Sequence, residues 1–420
     1  MQRWPAARLS IRSPCTLKPR RLLSSAAAAH VESISVPCAS SGSVTVSLHN
    51  VSHHPSSAPL LVYLPPFSLP ASEGLAGLPP LFHPYPTAAI HYRWPDTAKA
   101  LESLSSGRLL QWPTPLHDTL FGYDWILNNL SRPGLQRRDI YVCGSHLGAG
   151  LAATLALTES HPHQSMAVRG LLAYNGIYDW TSFLPDHPVN RARSHGLDAL
   201  EGADLPEEGS AFGYLRQLMP VLFGTPSNLF DPFASAVLLF RTAGMLVPES
   251  FTASSPNLPP SLLDAIDELS GEPLHGDDGT VPGVDVETAP KAPRRGYLAF
   301  PPRQSSLRIP EALLLHESAA PPPPPGSWRR RRRSMKKARA GRNDFESQAA
   351  ELAGLMRRSI DKLELRERMK WDDEFDGWEG EAQRRVRVGD VGRVGDGGFE
   401  LGEKGEEMAR EWLEEKLGSG

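Results

Sequence analysis

The sequence predicts an α/β protein: a mostly parallel central sheet with helices on both faces and a cap-like insertion. Three observations predict it. Short, strongly apolar runs of strand length alternate with longer stretches of helical period. Loops rich in proline and glycine bound those runs, in a chain of 420 residues with 40 prolines and 36 glycines. One segment, DIYVCGSHLGAGLAATLAL (139–157), passes from a strand through a glycine-flanked turn into an Ala- and Leu-rich helix. Near-continuous apolar strands are what a parallel sheet covered on both faces requires.

The elements follow in order. SGSVTVSLHNV (41–51) alternates at a period near two and belongs to an irregular β lead-in over 31–57. LLVYLPPF (60–67) and TAAIHYRW (87–94) are strands bounded by loops. In 115–130, Leu116, Leu120, Tyr123, Ile126 and Leu127 fall at helical spacing. IYVCG is a strand, LGAGLAATLALTESH a helix, and VRGLLAYNGIYDW (168–180) opens with another strand. Between 181 and 305 acidic, proline-rich loops surround a helical block at 210–223 and an apolar block at 230–247, the pattern of a cap or lid insertion. RIPEALLLHE (308–317) returns to strand character. Residues 343–364 form an amphipathic helix with Asn343 or Asp344 as its cap, and RRVRVGDVG and EKGEEMAREWLEEKL (403–417) close the chain as strand and helix. The domain division is therefore 1–30, a presequence or disordered tail; 31–180, the N-terminal part of the core; 181–305, the insertion; and 306–420, the C-terminal part of the core. The last part contains a disordered loop rich in Pro and Arg at 319–342. There is no internal repeat.

Composition excludes several classes. The net charge of −4 gives no global argument for nucleic acid, and no DNA partner is expected. No apolar run approaches the roughly 18 residues of a membrane span. Cys15, Cys38 and Cys143 form neither a metal spacing nor a disulfide framework, which fits a reducing compartment. The first thirty residues are rich in Arg and Ser and carry no acid before Glu32, as a mitochondrial presequence does. The expected location is the mitochondrial matrix, with the cytoplasm as the alternative. The run Arg329–Lys337, after a polyproline stretch, is an exposed basic segment for which an anionic or protein partner is a weak expectation.

The glycines fix the register of the 144–148 turn. Gly144 lies two before its tip and Gly148 two after, so the tip is His146 and Ser145 precedes it. A tip at Ser145 would put Cys143 and Leu147 at the crowded glycine positions.

These residues carry a resemblance. VYLPPF lies where a strand and HGGG loop would stand; IHYRWP resembles DYRLAPE; WPTPLHDTLFGYDWI resembles an FPaalxDaxxaxxW helix. VCGSHLGAGLAA resembles GDSAGGNLAA in register, GLLAYNGIYDWTS the strand ending in PWLDLT, and FDPFASAVL a DPxxSPL segment. In this order they resemble the α/β-hydrolase superfamily, in its hormone-sensitive-lipase-like (fold-3) esterase branch, over about residues 58–365. The resemblance implies an α/β-hydrolase fold and a carboxylic ester hydrolase with a Ser-His-Asp triad. It also implies a nucleophile elbow, here Gly144, Ser145, His146 and Gly148 with His146 at the nucleophile position.

The implied machine is degenerate. Oxyanion holes need N–H donors, and Pro65 and Pro66 stand in that loop without one. No histidine follows His316 to serve as the base, and the last strand region offers Asp390, Asp396 and arginines. The acid would fall at Ala319 or Ala320; Glu317 and Asp344 are near but out of register. The expected function is thus a catalytically degenerate hydrolase-fold protein that acts by binding a small apolar ligand, an acyl ester or a protein. The alternative is an active carboxylesterase using a non-standard site at Ser145 or His146, with Glu317 or Asp186 as carboxylate. No cofactor or metal is expected. His53, His54, His161, His163 and His316 lack ligands at metal spacing. Cys143 is expected as a small buried hydrophobe, Arg93 as the partner of Asp118, and Asp179-Trp180 as a structural corner.

Overall fold

The structure, a computed structural model, describes residues 31–67, 77–95, 110–131, 137–190, 211–252, 293–318, 343–365, 380–393 and 401–418. The presequence at 1–30, the segment 319–342 with Arg329–Lys337, the positions Ala319 and Ala320, and Asp396 lie outside the described residues.

Eight strands form one sheet: β1 (Val31–Pro37), β2 (Ser43–His49), β3 (Leu60–Leu64), β4 (Thr87–His91), β5 (Arg138–Ser145), β6 (Met166–Tyr174), β7 (Glu311–His316) and β8 (Val386–Asp390). Their spatial order is β1-β2-β4-β3-β5-β6-β7-β8. β1 and β2 pair antiparallel, as do β2 and β4, and every later pairing is parallel. This is the α/β-hydrolase fold, with a sharp strand-to-helix turn after its central strand β5. The stretch expected as an irregular lead-in is instead a regular hairpin: Val31 to Pro37 pairs residue by residue with His49 to Ser43.

The helices are α1 (Thr114–Leu130), α2 (Leu147–Thr158), α3 (Ala211–Phe223), α4 (Phe345–Ser359), α5 (Glu381–Arg385) and α6 (Glu403–Leu417). Sequence separates the two faces of the sheet through the period of two. On β5, Ile140 and Val142 point into the larger core with α1, α2 and α4. Tyr141 and Cys143 point to the opposite face, where Trp412 and Leu413 of α6 cover them. All five residues of β3 are buried, as a central parallel strand requires. The apolar side of α3 (Phe212, Leu215, Leu222 and Phe223) belongs to the same larger core.

Two expected braces are present. Arg93 grips Asp118 with two guanidinium bonds, Nε to Oδ2 at 2.8 Å and Nη2 to Oδ1 at 2.6 Å, and its N–H adds a third at 2.8 Å. Asp179 caps the turn Trp180–Phe183, accepting from the Thr181 N–H, and its other oxygen takes Arg241 Nη2 at 2.6 Å. Arg241 and His187 outweigh the burial that would otherwise raise this carboxyl, and they hold it below the usual range.

Candidate functional site

The parallel strands end along one edge of the sheet, and there, after β5, the chain turns sharply into a helix. His146 sits between β5 and α2 with φ 51° and ψ −114°, a conformation that L-residues rarely adopt. Its two glycines are obligatory. A Cβ on Gly144 would lie 2.5 Å from the Gly148 carbonyl, and one on Gly148 would overlap the carbonyls of Leu64 and Pro65. His146 therefore stands at the tip of this turn, with Gly144 two before it and Gly148 two after.

The His146 side chain is fully buried. Phe67 stacks on it with ring centres 5.7 Å apart and planes 27° apart. Tyr174 meets it edge-on at 5.6 Å and Phe345 at 5.8 Å. Burial among these rings pushes the imidazole down to about 3, so it stays neutral. Ser145 continues the alternation of β5 to the other face, the one that carries Tyr63, Tyr141 and Cys143. The neighbours therefore diverge, Ser145 toward Tyr63 and His146 into the aromatic box.

The turn is closed from above by the strand-to-loop segment Pro65–Phe67. Pro66 accepts the Leu147 N–H at 3.2 Å, and Pro65 accepts the Tyr92 hydroxyl at 2.7 Å. In a hydrolase the N–H after the nucleophile is an oxyanion donor. Here the Pro66 carbonyl accepts that N–H, and neither Pro65 nor Pro66 carries an N–H of its own.

The remaining candidates are placed as follows. Glu317, half-buried after β7, has its N–H on Asn175 Oδ1 at 2.9 Å, and burial raises its carboxyl. Asn175 itself has φ 48°, so two of the strained non-glycine residues among those described stand side by side in the sheet edge, after β5 and β6. Asp344 is spent as the cap of α4, in a reciprocal capping box with Ser347. Asp390 accepts from the Ser318 hydroxyl and the Gly392 N–H, which hold it low as a turn carboxylate. Asp186 is buried, next in the chain to His187, which pairs with Asp179. His316 ends β7, with Nδ1 3.1 Å from the Glu317 carbonyl oxygen. His161 meets Ser306 at a surface turn, and Cys143 is buried with its thiol pushed up. Among the described residues no group of three His, Cys, Asp or Glu side chains is placed to hold a metal ion, and no helix is long and apolar enough to cross a membrane.

Sequence reasoning missed Asn175, Tyr174, Phe345 and the pairing of His187 with Asp179, where Nε2 lies 3.6 Å from Oδ2. Only the Asn175-Gly176 pair after an apolar strand carried a signal, since Asn tolerates positive φ.

No family model matches this chain, and no curated protein matches it. Among solved structures it is similar to esterases. A hyperthermophilic esterase from the archaeon Pyrobaculum calidifontis shares 16% identity over 50% of this chain and 61% of its own, with TM-score 0.32. Carboxyl esterase 2 from the mycorrhizal fungus Tuber melanosporum shares 11% over 94% and 89%, with TM-score 0.45. Brefeldin A esterase, a bacterial homologue of human hormone-sensitive lipase, shares 14% over 52% and 58%, with TM-score 0.33. The chain thus spans about three fifths of the length of the Pyrobaculum esterase. The fold assignment rests on the strand order and the turn after β5.

Proposed function

We propose that this chain is a relative of the carboxylic ester hydrolases in which packing has replaced triad chemistry, and that it acts by binding rather than by turnover. One observation carries the reading: the elbow keeps its strained backbone, yet its tip bears a neutral, fully buried imidazole inside a ring of aromatic side chains. A nucleophile must be reachable and activated by a base. His146 is sealed, and the Leu147 N–H beside it is engaged by Pro66. The chemistry left at the site favours an apolar or acyl group as ligand, held by aromatic contact.

The test is hydrolysis of short p-nitrophenyl esters by the full chain, beside His146→Ala and Ser145→Ala variants. All three are expected at the buffer blank, with no labelling by a fluorophosphonate. Turnover lost in His146→Ala would instead establish a working hydrolase centred on that imidazole. Turnover lost in Ser145→Ala would establish the serine version, with Glu317 or Asp186 supplying the carboxylate.

A further inference from the structure

The segment closing the elbow has the chemistry of a ligand. Pro66 offers a carbonyl to the Leu147 N–H, and the next residue, Phe67, lays a phenyl ring on His146. Tyr214 of α3 meets Phe67 edge-on at 6.1 Å, so Phe67 bridges His146 and a side chain that is 37% exposed. The segment is tied down at a second point, where the buried Tyr92 hydroxyl donates to Pro65. Proline suits this work: it supplies an acceptor, has no N–H to strand against the apolar wall, and narrows the backbone conformations available.

We propose that Pro65–Phe67 is an intrasteric strap, a pseudo-ligand whose carbonyl and phenyl ring fill the elbow, and that the molecule able to replace it is a carbonyl compound bearing an aromatic or acyl group. This deepens the binding reading above and rests on it. Replacement frees the Leu147 N–H for the incoming carbonyl and the face of His146 for its apolar part, so neither group loses its contact. A ligand lacking the carbonyl leaves the Leu147 N–H buried without an acceptor, and a ligand lacking the apolar group leaves the aromatic box open.

Histidine labelling by diethyl pyrocarbonate, read residue by residue by mass spectrometry on the full chain at pH 7.5, tests the strap. The reagent attacks neutral imidazole, so protection of His146 reports access and not charge. His53 and His163 are exposed references, and His187, fully buried, reports whether the fold stays intact. In the parent chain His146 is expected to be as protected as His187. Phe67→Ala is expected to raise His146 labelling about tenfold, as lost aromatic stacking shifts a local opening equilibrium, with His187 unchanged. Phenylacetamide is expected to restore the protection in that variant, and toluene, which has no carbonyl, to restore less. If Phe67→Ala loosens the whole fold, His187 reports it, and Tyr214→Ala then decides, since it removes the outer edge-on support of Phe67 and leaves Phe67 itself in place. His146 labelled like His53 in the parent chain overturns the strap. So does protection that persists in a folded Phe67→Ala or Tyr214→Ala variant, and so does equal protection by toluene and phenylacetamide. Ester turnover dependent on His146 would remove the binding reading, while the labelling pattern would still decide the strap.

Discussion

At the scale of single residues, the site turns on His146. On the proposed binding reading, a serine placed at the tip would still lack three things: a free Leu147 N–H, since Pro66 accepts it, an N–H from either proline, and a histidine after His316 to act as base. His146→Ser is therefore expected to leave p-nitrophenyl acetate hydrolysis at the blank; a missing triad member alone costs on the order of a millionfold. Measurable turnover by this variant would show that a base had been recruited from elsewhere. The imidazole is also a packing element, stacked on Phe67 and met edge-on by Tyr174 and Phe345. Truncating a buried ring leaves a cavity, so His146→Ala is expected to lose about 3 kcal/mol in urea unfolding, and His146→Phe much less. The tip was legible in the sequence because Gly144 and Gly148 are forced by backbone contacts that no other residue survives. Its surroundings were not. Phe67 in the loop after β3, Tyr174 in β6 and Phe345 in α4 lie far apart in the chain, and only the assembled fold brings them round one side chain.

At the scale of elements, periodicity and caps carried most of the information. The spans of β3, β5, α2 and α6 follow from apolar runs and helical spacing, because burial on one face or both selects those patterns. The start of α4 was legible as a choice between Asn343 and Asp344, and the structure decides for Asp344 through its capping box with Ser347. Asp344→Ala is expected to cost about 1 kcal/mol in urea unfolding, as befits a helix cap. The β1–β2 hairpin was under-read, because its exposed outer strand alternates weakly and its pairing with β2 supplies what the pattern lacks. The Arg93–Asp118 brace joins the segment after β4 to α1 with the carboxylate fully buried. Arg93→Ala strands that charge and is expected to cost about 2–3 kcal/mol, allowing for a guanidinium that is partly exposed. A loss under 0.5 kcal/mol would mean that water reaches Asp118.

At the scale of the whole molecule, buried neutral histidines make stability depend on pH. His146 is pushed down to about 3 and His91 to about 4 by burial, and His49 is lowered by burial and then by His83. Each is neutral in the fold, while its unfolded counterpart takes a proton near pH 6.5. The unfolded chain therefore binds more protons between pH 6.5 and about 3. Stability is full above that window and is lost as pH falls through it. Glu159 and Glu317, raised by burial, act in the opposite sense with smaller shifts. The unfolding free energy is expected to be on the order of 3–5 kcal/mol lower at pH 4.5 than at pH 7.5, measured by urea at both values. His146→Phe keeps a ring in the aromatic box and removes one titrating site, so its loss on acidification should be about half as large. Equal slopes in the two proteins would mean that His146 takes up its proton in the folded state. That result would place water at the tip of the elbow, open the strap over it, and return the imidazole to the list of groups able to do chemistry.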